Sequence, residues 1–315
     1  MIAFGPVPSR RLGRSLGINN IPAKICTYSC VYCQVGKTTR MQIERAPFYR
    51  PEEIFRDVEN KIEQAQRKGE SIDYLTFVPD GEPTLDANLG QEIELLKSLG
   101  PKVAVITNGS LIWRKDVRSA LAKADWVSFK IDSLTEKKWH RINRPQGSLK
   151  QTAILRDMAA FANDYSGTLV TETMLVRDLN DSVKNLRKIA VFLNNLQPHI
   201  SYLAIPTRPP AEKWVRPPEE NVLNRAFQVL DEKRLQVEYL IGYEGNAFAF
   251  TGDPENDLLS ITAVHPMRQD AVNEFLMRAG ADWQIVHRLM AQSQLVEAEY
   301  EGKKFYMRNF SQMHV

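Results

Sequence analysis

Cysteine and histidine are scarce in this chain of 315 residues, which contains three of the first and five of the second. Its uncharged apolar runs fall far short of the roughly 20 residues that cross a bilayer. The N-terminal segment MIAFGPVPSRRLG also lacks the apolar centre of a secretory signal. Neither sign of charge dominates, because 41 basic residues accompany 38 acidic ones. These absences argue against disulfide-rich, membrane-spanning and strongly basic proteins, and they predict a globular protein of the cytoplasm.

Charge is unevenly distributed along the chain although it is nearly balanced overall. Residues 1–50 contain eight basic residues and a single acid, Glu44. A local excess of this kind attracts an anionic cofactor or substrate. The alternative is that these side chains form ordinary ion pairs with acids elsewhere in the fold.

All three cysteines lie within eight residues, as Cys26, Cys30 and Cys33 of the segment CTYSCVYC. An odd number of closely spaced thiols is a poor disulfide framework in a reducing compartment. Structural zinc usually takes four protein ligands in two separated pairs, and the first histidine after Cys33 is the distant His140. Three thiolates in one loop instead suit a [4Fe–4S] cluster whose fourth iron stays open. The spacing favours a reactive cluster over zinc, and over inert buried thiols.

The spacing C-x3-C-x2-C, with Tyr32 directly before the last cysteine, resembles the signature of the radical S-adenosylmethionine superfamily. The resemblance implies that the amino and carboxylate groups of S-adenosylmethionine chelate the open iron, with Tyr32 among the cofactor-binding residues. It also implies reductive cleavage of the cofactor to a 5′-deoxyadenosyl radical, which removes hydrogen from a substrate. An electron donor such as a flavodoxin or ferredoxin is then a partner.

Apolar strand patterns alternate with amphipathic helix patterns through the first two thirds of the chain. The predicted strands are 16–21, 72–78, 103–107, 126–131, 168–176 and 200–205. The predicted helices are 51–68, 87–99, 114–123, 148–163 and 181–194. This alternation predicts an α/β fold with a parallel sheet covered by helices. Six such units are too few to close an eight-stranded barrel, so we expect a partial (βα)6 barrel, which resembles the core of the same superfamily. The cysteine loop then lies at the carboxyl ends of the strands.

The segment PDGEPTL follows the second predicted strand. Its residues Gly81, Glu82 and Pro83 resemble the family's loop at the methionine ammonium group, where the usual form has a glycine at the position of Asp80. The resemblance implies that Gly81, Glu82 and Pro83 contact the cofactor. Taken alone, the same residues also fit a surface β-turn.

Polar residues also lie on or after the next three predicted strands. Thr107 and Asn108 are compact groups able to bond the cofactor, or alternatively form an Asx-type turn. Lys130 resembles the lysine that binds the methionine carboxylate in glycyl-radical-enzyme activases, and the alternative is a structural ion pair with Asp132. Glu172 suits the ribose hydroxyls, or else lies at an exposed edge.

The chain is predicted to divide into three parts. Residues 1–205 form the barrel. Residues 206–258 begin with five of the 17 prolines in 13 positions, which indicates a stiff crossing segment. A helix near 219–233 and a strand near 236–241 follow it and are expected to cover the barrel. Arg208, in the proline-rich segment, either meets an anionic substrate or lies on the surface.

Residues 259–315 form the third part. Two short helix patterns, 269–279 and 282–291, precede a hairpin pattern around Glu301 and Gly302. This order resembles a winged helix. Six basic and six acidic residues leave it without the charge footprint of a nucleic-acid reader. We therefore expect a module for packing or for docking a protein or peptide, and DNA is not the expected partner.

The N-terminal segment FGPVPSRRLGRSLGINNIP narrows the resemblance to the branch of wyosine-base tRNA synthases. Archaeal enzymes of that branch hold a second cluster with three further cysteines, which this chain does not contain. The sequence therefore predicts a single-cluster radical enzyme of unassigned substrate, and the Lys130 resemblance favours a protein substrate. The alternatives are a tRNA-modifying enzyme and, from another class, a non-enzymatic iron–sulfur winged-helix sensor.

Overall fold

The computed structural model describes residues 2–241 and 252–309. Its strands are β1 Ala3–Ser9, β2 Gly13–Ile18, β3 Ile25–Cys26, β4 Arg40–Met41, β5 Tyr74–Phe77, β6 Lys102–Thr107, β7 Trp126–Lys130, β8 Thr168–Met174, β9 Ile200–Ala204, β10 Val237–Leu240, β11 Met267–Arg268, β12 Leu295–Tyr300 and β13 Lys303–Arg308. Its α-helices are α1 Pro51–Arg67, α2 Leu89–Lys97, α3 Lys115–Leu121, α4 Glu136–Asn143, α5 Gln151–Asp164, α6 Val183–Leu196, α7 Glu220–Asp231, α8 Pro254–Val264, α9 Gln269–Arg278 and α10 Gln284–Ala291.

Eight strands form one sheet in the order β1-β2-β5-β6-β7-β8-β9-β10. β1 runs antiparallel to β2, and all other neighbouring strands in this sheet are parallel. The six predicted strands all lie in this sheet, and the strand predicted near 236–241 is β10. The sequence does not predict β1, because Pro6 and Pro8 interrupt its apolar pattern. Proline is tolerated there because β1 is an edge strand.

The first helix shows why the predicted helices form. Pro51 begins α1, where its missing N–H costs nothing. Ile54, Val58 and Ile62 then lie on one stripe and are buried against the sheet. Burying each of these side chains contributes about 2 kcal/mol. α1 is therefore fixed to the outer face of the sheet by its sequence pattern.

Alternation along the strands separates the helix-covered face of the sheet from its inner face. Val103 and Val105 of β6 pack in the main core with the helices, whereas Ala104 belongs to a second cluster on the opposite face. In the same way Phe129 of β7 packs in the main core. Successive side chains of a strand point to opposite faces, so Lys130 lies on the inner face. Lys130 is also the last residue of β7, so this polar group of the inner face lies at the carboxyl end of the sheet.

A second core joins α8, α9 and α10 to a three-stranded sheet in the order β11-β13-β12. β12 and β13 are joined by Glu301 and Gly302, both in the left-handed region with φ of 48° and 68°. This confirms the predicted hairpin. The Lys61 ammonium of α1 pairs with Asp257 of α8 at 3.4 Å. The C-terminal unit is therefore tied to the outer layer of helices.

The predicted division of the chain at 205 and 258 stays a prediction. β10 pairs with β9 across the first of these points, and α8 spans the second. Among the described helices, none is both long enough and apolar enough to cross a membrane.

Candidate active site

The carboxyl ends of the parallel strands surround a cavity of about 260 Å³. The wall holds three predicted metal ligands and seven predicted cofactor-binding residues, namely Cys26, Cys30, Cys33, Tyr32, Gly81, Glu82, Thr107, Asn108, Lys130 and Glu172. Pro83 instead begins a 3-10 turn, Pro83–Leu85, and its carbonyl accepts a hydrogen bond from Asn20 Nδ2 at 3.2 Å. Pro83 is not among the residues that line the cavity, and its predicted contact with the cofactor stays a prediction.

Amide groups point at all three cysteine sulfurs, and for Cys33 the donor is the backbone N–H of Val35. The backbone N–H of Tyr28 donates to Cys26 Sγ at 3.5 Å, and Asn108 Nδ2 donates to the same sulfur at 3.7 Å. Asn143 Nδ2 donates to Cys30 Sγ at 3.5 Å. Hydrogen bonds to sulfur stabilise thiolate charge and tune the potential of iron–sulfur clusters. These donors fit sulfurs that act as cluster ligands.

Burial raises the pKa of all three thiols, that of Cys30 to about 12. Each thiol is close enough to another for their negative charges to disfavour one another. Cationic iron binds thiolates and offsets such repulsion. In residues 2–241 and 252–309 no group of three or more Cys, His, Asp or Glu side chains converges on a single metal ion. The fit to a cluster therefore rests on the shared wall and on the donors to sulfur.

The Glu82 carboxylate ties its own loop after β5 to the carboxyl end of β6. Its Oε1 accepts hydrogen bonds from Thr107 Oγ1 at 2.5 Å, from Thr84 Oγ1 at 2.6 Å and from Thr84 N at 3.1 Å. Its Oε2 accepts the backbone N–H of Asn108 at 2.8 Å. Burial raises the pKa of Glu82, and these hydrogen bonds oppose that rise. The alternative of a surface turn is wrong, because Glu82 is 1% exposed.

Gly81 presses against the strand that carries the first cysteine. A Cβ at this position would lie 1.9 Å from the carbonyl oxygen of Ile25 and 2.8 Å from Cδ1 of Ile21. The neighbouring N–H of Glu82 donates to the same Ile25 carbonyl at 3.1 Å. Glycine is therefore required here for a close approach between two backbones. The approach positions Cys26 relative to the rest of the wall.

Replacing Gly81 by alanine is expected to lower the free energy of unfolding by about 3 kcal/mol, because a backbone oxygen cannot move aside as a side chain does. We also expect less iron to be bound per chain after anaerobic reconstitution. Gly147→Ala is the matched control, because no atom lies within 4 Å of its added Cβ. Its effect should stay within about 0.5 kcal/mol. Equal stability and iron content in the two variants would contradict the role given to Gly81.

Lys130 and Glu172 are partners in the register of β7 and β8. The Lys130 ammonium pairs with Glu172 Oε1 at 2.5 Å, and Arg11 pairs with Oε2 at 2.5 Å. Burial disfavours the charged forms of Lys130 and Glu172. Their pairing outweighs burial, because it raises the pKa of Lys130 and lowers that of Glu172 to about 2. All three side chains line the cavity. The result is a group of ion-paired charges that faces the cavity, with Glu172 buried and its two cations half-buried.

Asp132 has different partners from those considered in the sequence. Its Oδ2 accepts hydrogen bonds from the Tyr32 hydroxyl at 2.5 Å and from Asn143 Nδ2 at 2.6 Å. Lys130 Nζ lies 5.8 Å from the centre of the Tyr32 ring. The ion pair of Lys130 is therefore made to Glu172, and the alternative of a Lys130–Asp132 pair is wrong. Asp132 instead holds Tyr32, and with it the cysteine loop, against the carboxyl end of β7.

The family model of the radical SAM superfamily matches residues 20–190, which is more than half of the chain. The chain belongs to the radical SAM superfamily. The matched segment contains the cysteine loop and the strands from β5 to β8. The resemblance read from the three cysteines is thereby confirmed at the level of the superfamily.

A relative, the UPF0026 protein MJ1312 of Methanocaldococcus jannaschii, is 47% identical over 310 residues. The match covers 98% of this chain and 96% of that protein, so the chain also belongs to the UPF0026 family. Two solved structures resemble the fold. A radical SAM methyltransferase from Sphaerobacter thermophilus has a TM-score of 0.55 at 16% identity, covering 72% of this chain and 66% of its own. TYW1 with a lysine-pyruvate adduct bound has a TM-score of 0.53 at 18% identity, covering 70% and 73%.

At these identities the structural likeness concerns the fold alone, and it confirms the partial barrel of the radical SAM superfamily. The sheet has more strands than the six predicted, because β1 and β10 extend its two edges. The curled sheet leaves one end open, and the cysteine loop lies at that end.

Sequence reasoning missed Arg11 as a site residue and placed Glu172 at an exposed edge in one alternative. Glu172 is 5% exposed and lies on an inner strand of the sheet. Arg11 comes from the turn between β1 and β2, a hairpin that the sequence does not predict. The excess of basic residues in 1–50 was the available signal. Arg11 forms an ion pair with Glu172, which is distant in sequence. This is the alternative given above for the basic residues of 1–50.

Proposed function

We propose that this radical SAM protein binds one [4Fe–4S] cluster and S-adenosylmethionine in the cavity and cleaves the cofactor reductively. The observation that carries the proposal is that Cys26, Cys30 and Cys33 share one cavity wall with the ion-paired Lys130 and Glu172. When bound, the cluster would pass one electron from an external donor, such as a flavodoxin or ferredoxin, to the sulfonium. This electron would break a carbon–sulfur bond to give methionine and a 5′-deoxyadenosyl radical, and the radical would take a hydrogen atom from the substrate.

The residues of the wall have separate tasks in this proposal. Cys26, Cys30 and Cys33 hold three irons and leave the fourth to the cofactor. Glu82 keeps the strand-end segments at fixed distances through its four hydrogen bonds. Lys130 presents a half-buried ammonium group to the cofactor carboxylate, and a charge held in place before binding costs little to reorganise.

The C-terminal unit is proposed to be a winged helix that docks a protein substrate. Its element order, α8-β11-α9-α10-β12-β13, supports this proposal. It also contacts the cavity wall, because His265 Nε2 lies 2.8 Å from an Arg208 nitrogen and the Tyr300 hydroxyl donates to the Pro206 carbonyl at 3.3 Å. A docked protein would therefore lie beside the opening. Balanced charge in this unit favours a protein over a nucleic acid.

The test is anaerobic reconstitution with iron and sulfide, followed by dithionite and S-adenosylmethionine. The proposal expects 5′-deoxyadenosine and methionine in equal amounts, from protein with about four irons per chain. A cluster-loaded protein that forms neither product would favour the sensor alternative. Retention of tRNA that weakens steeply with salt would instead favour a tRNA-modifying enzyme.

A further inference from the structure

Two segments that are distant in sequence pack on the outer side of the cysteine loop. Val31, between the second and third cysteines, donates its backbone N–H to the Ile142 carbonyl at 2.9 Å, and its own carbonyl accepts the Glu212 N–H at 3.0 Å. Val31 is completely buried between them. Residues 141–144 and 212–216 therefore cover this part of the loop.

The same two segments carry exposed basic side chains. They contain four basic residues and a single acid, Glu212. Arg144 pairs with Glu212 Oε1 at 2.6 Å, which joins one segment to the other. The exposed and half-exposed side chains of the two segments form what we name the loop-side surface: Arg141, Arg144, Lys213, Trp214 and Arg216. Its net positive charge attracts an acidic partner over a distance.

Trp214 is the large apolar group of this surface. It is 51% exposed, whereas the neighbouring Val215 is completely buried in an apolar cluster with Val31 and the partly buried Cys30. The tryptophan therefore lies one residue from a side chain that packs with the cysteine loop. Tryptophan and arginine are enriched among the residues that dominate binding energy at protein interfaces. An exposed tryptophan among basic side chains indicates a contact surface for an acidic protein.

The loop-side surface lies outside the cavity. None of its five residues is among the described residues of the cavity wall. A nucleic acid that reacts with the 5′-deoxyadenosyl radical has to place a base in the cavity, so it is expected to bind around the opening. A protein that delivers an electron has only to approach the cluster, and it needs no access to the cavity. The position therefore favours an electron carrier over an RNA.

We propose that the loop-side surface docks an acidic one-electron carrier protein that reduces the cluster. The proposal rests on the proposed function, because that function requires one external electron for each cofactor molecule cleaved. One electron leaves the carrier, which is oxidised, and reduces the cluster; no atom is transferred. Complexes of electron carriers have small interfaces, and opposite charges on the two partners raise the rate of association. A compact basic surface with one exposed aromatic side chain meets both requirements.

The test uses reduced flavodoxin as an acidic one-electron carrier, and dithionite as a small reductant that needs no docking surface. Arg141→Glu combined with Lys213→Glu reverses one charge on each segment. With flavodoxin at low salt, 5′-deoxyadenosine formation is expected to fall about tenfold or more, because attraction becomes repulsion. With dithionite it should stay within about twofold of wild type, since both positions are exposed.

Binding is measured separately, by calorimetric titration of cluster-loaded protein with oxidised flavodoxin. The wild-type affinity should fall steeply as salt is added, because salt screens exposed charges. The double variant should show the same loss of affinity at low salt. Trp214→Ala leaves the net charge unchanged and should weaken binding about fivefold or more.

Lys184→Glu combined with Arg187→Glu is the matched control, because it makes the same change of charge at exposed positions of α6. It should react with flavodoxin like wild type. Wild-type rates with flavodoxin in the loop-side variants, or wild-type protein that forms product with dithionite and none with flavodoxin, would overturn the inference while leaving the proposed function intact. Loop-side variants that lose tRNA retention and keep their rates with flavodoxin would assign the surface to RNA and also overturn it. No product with dithionite from cluster-loaded wild type would overturn the proposed function.

Discussion

Replacement of Cys30 by alanine is expected to reduce 5′-deoxyadenosine formation to the rate measured without protein. The chain contains no cysteine beyond Cys26, Cys30 and Cys33, so no other thiolate can take the lost position. An iron without its thiolate is lost or becomes open to solvent, and the cluster no longer delivers its electron to the sulfonium. The measurement is product formation by chromatography after anaerobic reconstitution, together with iron and sulfide content.

Lys37→Ala is the control for this substitution. Lys37 lies four residues after Cys33, is exposed, and pairs at the surface with Glu212 at 3.2 Å. Because an exposed pair contributes little, this variant should keep its cluster and most of its product formation. The cluster-free Cys30→Ala protein should have the same circular dichroism spectrum as cluster-free wild type. Substantial product from Cys30→Ala would contradict the three-cysteine cluster.

Glu172→Gln is expected to lower the free energy of unfolding at pH 7 by about 3 kcal/mol, because it leaves the half-buried Lys130 and Arg11 charges without an anion. Burial disfavours the carboxylate, but these two cations outweigh it and lower the pKa of Glu172 to about 2, against an ordinary value of 4.5. A carboxyl with a lowered pKa stabilises the fold fully above its ordinary value, and that contribution is lost as the pH falls toward 2. The difference between wild type and Glu172→Gln should therefore shrink below about pH 4.5. Urea titrations of both proteins at a series of pH values measure this difference in the free energy of unfolding.

Two variants separate charge from packing at this position. Glu63→Gln removes the acid of an exposed pair on α1, with Arg67 at 3.0 Å, and should change stability by less than about 0.5 kcal/mol. The triple variant Glu172→Leu, Lys130→Met and Arg11→Met should regain much of the lost free energy of unfolding. Apolar groups of similar size need no counter-charge. A Glu172→Gln protein as stable as wild type would show that the two cations are not held by this carboxylate.

Local patterns were sufficient to predict the frame of the site. The three cysteines and their spacing are adjacent in sequence, and the apolar runs of β5 to β9 lie between amphipathic helices. Strand and helix periodicity depends on neighbouring residues only, so it can be read without knowledge of the fold. The same reasoning placed Thr107, Asn108 and Glu82 correctly at the carboxyl ends of their strands.

Contacts between distant segments were not predictable in the same way. Glu82, Thr107 and Asn108 were expected to face the cofactor one by one, whereas the structure bonds them to each other. The partner of Lys130 depends on the register between β7 and β8, which no local pattern encodes. α4 was also missed, because its segment EKKWHRIN is mostly polar and buries only Trp139, Ile142 and Asn143.

The central claim is that three sulfur ligands leave one iron free for S-adenosylmethionine. Electron paramagnetic resonance of the dithionite-reduced, reconstituted protein tests it most directly, with spectra recorded before and after the cofactor is added. The account predicts a [4Fe–4S] signal that changes on addition of S-adenosylmethionine, and no such signal from Cys30→Ala. A cluster signal that the cofactor leaves unaltered, or wild-type protein that takes up no iron, would contradict the account.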